Sequence, residues 1–168
     1  MRSPQRGVTL IELMIGLVIL VLLLLAALPF GTHWIDGNRQ VHARSLLWEG
    51  VSQARTLALR NPAARPIGEP AAMLVLDAGT LEVRVPGSDD ALWQAPLRAS
   101  VVLKLVDVDG FADPDAMSSS THPAFDCVGF DASGLRLPGA DGCSDQTVAL
   151  SRIAVGLSDQ DPLYVELL

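Results

Sequence analysis

An apolar run opens the chain, from Val8 to about Ala27, with Glu12 as its only charge. About 20 apolar residues suffice to span a bilayer as a helix. A second periodicity covers about Thr32 to Asn61, where Ala43, Leu46, Leu47, Gly50, Val51, Ala54, Leu57 and Ala58 share one side. His42, Arg44, Glu49, Ser52, Gln53, Arg55 and Arg60 lie mostly on the other, which predicts an amphipathic helix resting on a globular domain. Pro62 ends it, because proline disfavours helix in the preceding residue and has no amide to continue the ladder.

Beyond Pro66 the pattern shortens to strands. Met73–Leu76 and Leu81–Val85 flank Asp77-Ala78-Gly79-Thr80, a hairpin signal. Val101–Val108 is the strongest strand, followed by Val128–Phe130, Leu135–Leu137, Val148–Val155 and Tyr164–Leu167. Turns rich in Gly, Pro and Asp separate them, which indicates antiparallel sheet, and Lys104 and Arg152 mark solvated faces. Ser118–Pro123 reads as a mobile loop. The fold class is α+β: a long N-terminal helix, apolar in its first half, packed on a small antiparallel β domain.

A short basic leader with Arg2 and Arg6 ends at Gly7, and Val8-Thr9-Leu10-Ile11-Glu12-Leu13 follows. A carboxylate within an apolar span costs about 2.5–3.5 kcal/mol on insertion scales, so Glu12 needs a partner or a purpose. Leader, glycine and T-L-I-E-L-M together resemble the class III signal of type IV prepilins and type II secretion pseudopilins. The resemblance implies that a prepilin peptidase cuts after Gly7 and methylates the new amino terminus at Val8, where the family usually has phenylalanine or methionine. It also implies that Glu12 neutralises the terminal amine of a neighbouring subunit during assembly. The physics agrees, since a buried charge is tolerated mainly when paired. A secretory signal peptide does not fit, because no small-residue cleavage site follows the run and Pro29 with Phe30 closes it.

The likeness continues downstream. Ala54-Arg55-Thr56-Leu57-Ala58-Leu59-Arg60-Asn61 resembles the A-R-x-x-A-x-R-N run of minor pilins of the FimT/FimU type and of the H pseudopilin, GspH. Phe130 and Gly134 fit a looser F-x-x-x-G signature. Many pilins also carry a proline at the offset of Pro29, where it bends a long helix; Gly31 and Gly37 allow a complete break there. The organisation expected is a leader over 1–7, a transmembrane and assembly helix over 8–28, its amphipathic continuation over 29–61 and a β-rich extracytoplasmic domain over 62–168. Arg2 and Arg6 favour a cytoplasmic N-terminus in the inner membrane, with the globular domain periplasmic before it enters a pilus or pseudopilus. Val41, Trp48 and Leu59 draw a narrow apolar line within the polar helix face, either isolated exposed hydrophobes or a contact line for neighbouring subunits.

Charge narrows the partners. Without Arg2 and Arg6 the 12 basic residues fall to 10 against 19 acidic ones, moving the formal net charge from −7 to −9. Nucleic-acid affinity rests mainly on phosphate neutralisation, and the remaining arginines are scattered with Lys104 the only lysine. The tail Asp159-Gln160-Asp161-Pro162-Leu163-Tyr164-Val165-Glu166 is acidic and lacks the arginine cluster of a DNA-uptake pilin. The expected partners are the prepilin peptidase, other pilins or pseudopilins through the N-terminal helix, and the inner membrane.

Cys127 and Cys143 are the only cysteines, in a domain expected outside the cytoplasm, where an oxidising compartment favours a disulfide. A metal pair is the alternative, but there is no C-x-x-C and only His122 lies nearby. Asp107, Asp109, Asp113 and Asp115 around Gly110 fail the spacing of an EF-hand loop and read as a solvated acidic loop. Ser118–Ser120 with His122 and Asp126 lack a nucleophile elbow. His33 and His42 flank the helix as interfacial or solvent-facing residues. No catalytic, metal or cofactor site is expected. The role expected is that of a minor type IV pilin in assembly initiation or a tip complex, with the H pseudopilin of a type II secretion system as the alternative and a DNA-uptake pilin behind both.

Overall fold

The computed structural model describes residues 9–111, 114–119, 121–144, 146–157 and 160–167, and the backbone alone at 27–33 and 114. The first helix, α1 (Leu10–Arg60), is a single element of 51 residues. The chain divides into two units, Met1–Ile35 and Asp36–Leu168.

In the first unit the large apolar side chains from Leu10 to Leu25 are all exposed. A helix that is apolar all round buries itself in a bundle or a membrane. Among the described residues, however, no helix is long and apolar enough to cross a membrane. Of the span expected over 8–28, side chains are described at 9–26 alone. Pro29 lies within α1, but its side chain and the bend expected there lie outside the described residues.

The second unit holds the rest of α1 and two antiparallel sheets. The strands are β1 (Pro70–Asp77), β2 (Thr80–Arg84), β3 (Trp93–Pro96), β4 (Val102–Val106), β5 (Cys127–Asp131), β6 (Arg136–Leu137), β7 (Arg152–Gly156) and β8 (Leu163–Glu166). The larger sheet runs β3-β2-β1-β5-β6, and the smaller runs β4-β7-β8. The hairpin turn at Ala78-Gly79 takes positive φ at both positions, as a tight connection between twisted strands requires.

The helix face expected to be buried is buried. Ala43, Leu47, Val51, Ala54 and Ala58 enter one core with Leu74, Leu81 and Val83 of the larger sheet and Leu103, Leu105, Ile153 and Val155 of the smaller. Gly50 is required by this approach: a Cβ there would meet Leu74 Cδ1 at 2.9 Å and the Trp93 ring at 3.2 Å.

Several elements differ from the sequence expectation. Lys104 and Arg152 do not mark a wholly solvated face, because α2 (Pro114–Ser119) covers the far side of the smaller sheet and seats Met117 against Val106 and Ala154. A Cβ on Gly156 would overlap the Met117 thioether. Ser118 and Ser119 end that helix rather than opening a loop. The strand expected from Val148 begins only at Arg152. The Arg136 guanidinium donates to the carbonyls of Thr147, Val148 and Leu150, which turns those groups away from any ladder.

Candidate functional site

The start of α1 is built by Thr9 and Glu12. Glu12 Oε2 accepts from the Thr9 backbone N–H and from Thr9 Oγ1, both at 3.1 Å. The Glu12 N–H donates to Thr9 Oγ1 at 3.3 Å. This reciprocal arrangement is a capping box, which satisfies helix N-terminal donors that have no partner within the helix. The signal T-x-x-E stands in the sequence at Thr9-Leu10-Ile11-Glu12. The carboxylate is exposed and held over the first turn, where the helix dipole also favours negative charge. Gly7 and Val8, the expected cleavage and methylation positions, lie outside the described residues.

The end of α1 meets the later segment that fits the F-x-x-x-G signature. Ala54 and Ala58 are fully buried, and the Arg55 guanidinium lies over the Phe130 ring, 5.3 Å from its centroid. Arg55 Nε and Nη2 are closed off from water with no hydrogen-bond partner, and burial lowers the guanidinium pKa from its ordinary value. The ring face supplies the compensating electron density. Leu59 packs over Gly134, whose φ of +80° suits glycine at the β5–β6 turn. Asn61 then closes the helix in the left-handed conformation, and its side chain brackets the next loop through Arg65 N and Arg65 O, both at 2.7 Å. Arg55 and Leu59 thus meet Phe130 and Gly134 at one packed corner.

Asp131, between Phe130 and Gly134, is the corner's second polar element. Its Oδ1 accepts from Ser133 Oγ at 2.6 Å, Ser133 N at 2.9 Å and Leu135 N at 3.1 Å. Burial pushes its pKa up, but these hydrogen bonds and one from the Gly68 amide outweigh it and leave the carboxyl below its ordinary value.

Cys127 and Cys143 form a disulfide. Asp126 reinforces it by accepting from Ser144 N and Ser144 Oγ, and Asp126 Oδ1 also receives the Cys127 N–H. Asp126 is therefore committed to the β5 turn and does not join Ser118, Ser119 and His122 in a triad. The His122 ring instead meets Phe111 edge-on at 5.2 Å. Asp107 Oδ1 accepts from the amides of Asp109 and Gly110 in a tight turn, while Asp113 lies outside the described residues. No group of His, Cys, Asp and Glu side chains among the described residues could hold a metal ion.

Gln40 was not expected to matter, yet it is buried and its Nε2 donates to Val155 O at 2.9 Å and Asp161 O at 2.8 Å. Arg44, one turn later, donates from Nε to Tyr164 O at 2.9 Å. Together they fasten α1 to the backbone of the smaller sheet. The signal was positional: Gln40 sits on the same face as Ala43 and Leu47, where an amide must find partners. Val41, Trp48 and Leu59 remain 52%, 63% and 61% exposed.

No curated protein and no solved structure matches the chain. The prokaryotic N-terminal methylation motif matches residues 2–28, which include Gly7, Val8, Thr9 and Glu12. The chain therefore carries, at the start of an α+β fold, the N-terminal signal of a type IV pilin-like protein.

Proposed function

We propose that the protein is a minor, non-catalytic pilin subunit that helps to initiate a type IV pilus or occupies its tip. The observation that carries this reading is the methylation motif at residues 2–28, joined to a helix whose first turn presents Glu12. In this reading the inner membrane holds the apolar stretch and the leader stays cytoplasmic. The prepilin peptidase cuts after Gly7 and methylates Val8. The Glu12 carboxylate then pairs with the terminal amine of an adjacent subunit. The packed corner of Arg55, Leu59, Phe130 and Gly134 keeps the globular unit on its helix during assembly.

The test is expression of wild type, a Gly7→Val variant and a Glu12→Val variant, followed by separation of membrane and sheared-filament fractions. Mass spectrometry of the mature protein is expected to begin at Val8 carrying one methyl group. Gly7→Val keeps the leader and stays in the membrane. Glu12→Val is processed, yet its incorporation into filaments falls. An N-terminus elsewhere removes the basis of the assignment, and wild-type incorporation of Glu12→Val removes the pairing role of the carboxylate. Recovery in a short periplasmic filament in place of a surface pilus assigns the subunit to type II secretion.

A further inference from the structure

A groove of about 440 Å³ opens between α1 and the loop 97–101, and its lining includes Arg39, His42, Leu46, Leu97, Arg98 and Val101. No carboxylate lines it. Arg39 is held by Asp36 at 3.0 Å, whereas Arg98 is exposed and has no ion-pair partner among the described residues. On a chain of formal net charge −7, a groove with apolar walls and one uncommitted guanidinium, Arg98, favours an acidic partner.

The complementary feature lies at the other end of β3. Asp89 and Asp90 are exposed in the β2–β3 loop, and Leu92 beside them is 62% exposed. This loop cannot reach the groove of its own chain. The four residues of β3 separate them by about 13 Å at strand rise. Along α1, Leu92 lies by Gln53–Arg60 and the groove by Asn38–Leu46, a displacement of about 22 Å at helix rise.

We propose that the groove receives the acidic loop Asp89–Leu92 of a second copy of this chain. Asp89 and Asp90 flank Arg98, and Leu92 enters between Leu46 and Leu97. A planar guanidinium suits such a carboxylate contact, and the apolar walls suit the leucine. The surface used by one copy differs from the surface used by the next, so the contact is head-to-tail. A contact of that kind does not close on itself in a pair, and leaves one loop and one groove unused. A loop of this size sets orientation and register more than bulk affinity. The inference rests on the reading of the chain as a filament subunit, and a low-copy subunit meets a second copy where assembly begins.

The test uses two differently tagged full-length copies expressed together, one carrying Ala99→Cys and the other Ala91→Cys, exposed positions beside Arg98 and Asp90. The native cysteines are joined to each other and leave the introduced pair free to react with a short bismaleimide in isolated membranes. A mixed-tag dimer is expected, at least fivefold stronger than when both copies carry the same substitution. Adding Asp89→Arg to the Ala91→Cys copy is expected to weaken it at least threefold. Absence of the mixed dimer, equal bands from like pairs, or capture of the Ala99→Cys copy by a different protein each overturns the proposal. The sheared-filament fraction is scored in parallel with untouched wild type. Loss of the protein from filaments with the mixed dimer retained refutes the filament reading alone, and the reverse refutes the groove alone.

Discussion

The Arg55 guanidinium stands 5.3 Å from the centre of the Phe130 ring, joining the last turns of α1 to β5 of the larger sheet. Phe130 is fully buried, and two Arg55 nitrogens have no other partner. Losing the ring removes packing and strands a cation. Phe130→Ala is expected to destabilise the detergent-solubilised protein by about 3–5 kcal/mol in urea unfolding. A double-mutant cycle with Arg55→Ala should give a coupling of about 0.5–2 kcal/mol. Additive effects of the two substitutions would show that Arg55 only covers the ring.

The disulfide closes a loop across a sequence separation of 16. Replacing both cysteines with serine is expected to cost about 3 kcal/mol on the chain-entropy account. Asp126 still ties Ser144 to the strand, so the fold should survive with a lower melting temperature. An unchanged melting temperature after reduction would show that the Asp126 hydrogen bonds alone hold the loop.

Gln40 bridges two backbone carbonyls from inside the helix face. Gln40→Ala leaves both oxygens unpaired and should cost about 1–3 kcal/mol. Hydrogen exchange should quicken first in β7 and β8. Arg44→Ala removes one exposed contact and should cost less than about 1 kcal/mol.

Asp131 gives the fold an acid-sensitive contribution. Its folded pKa lies below the ordinary carboxyl value, so the stabilisation is present above the unfolded value of about 3.9 and is lost as pH falls through the folded one. The melting temperature of wild type should therefore decline as the pH is lowered below about 4. Asp131→Asn keeps an acceptor for Ser133 and Leu135 and should flatten that decline. An equal acid slope in the variant would assign the sensitivity to other carboxylates.

The helix and its buried face are legible in the sequence because both are local. A period of 3.6 residues is written into Ala43, Leu47, Val51, Ala54 and Ala58, and these side chains do enter the core. The hairpin at Ala78-Gly79 is equally local, since its turn conformation depends on two adjacent residues. The pairing of Cys127 with Cys143 follows from there being no other cysteine to join. What tertiary structure decided is where backbone groups find distant partners. Trp93–Pro96 is too short and too mixed to announce a strand, and becomes one only because β2 offers it a free edge. Val148 looks like strand in isolation, but Arg136 takes the carbonyls of that segment from a hairpin away. Gln40 looks like a polar helix residue, and only the arrival of Val155 and Asp161 makes it a fastening. The division into two sheets is of the same kind, because strand patterning fixes which side chains turn inward and leaves the choice of neighbour to packing.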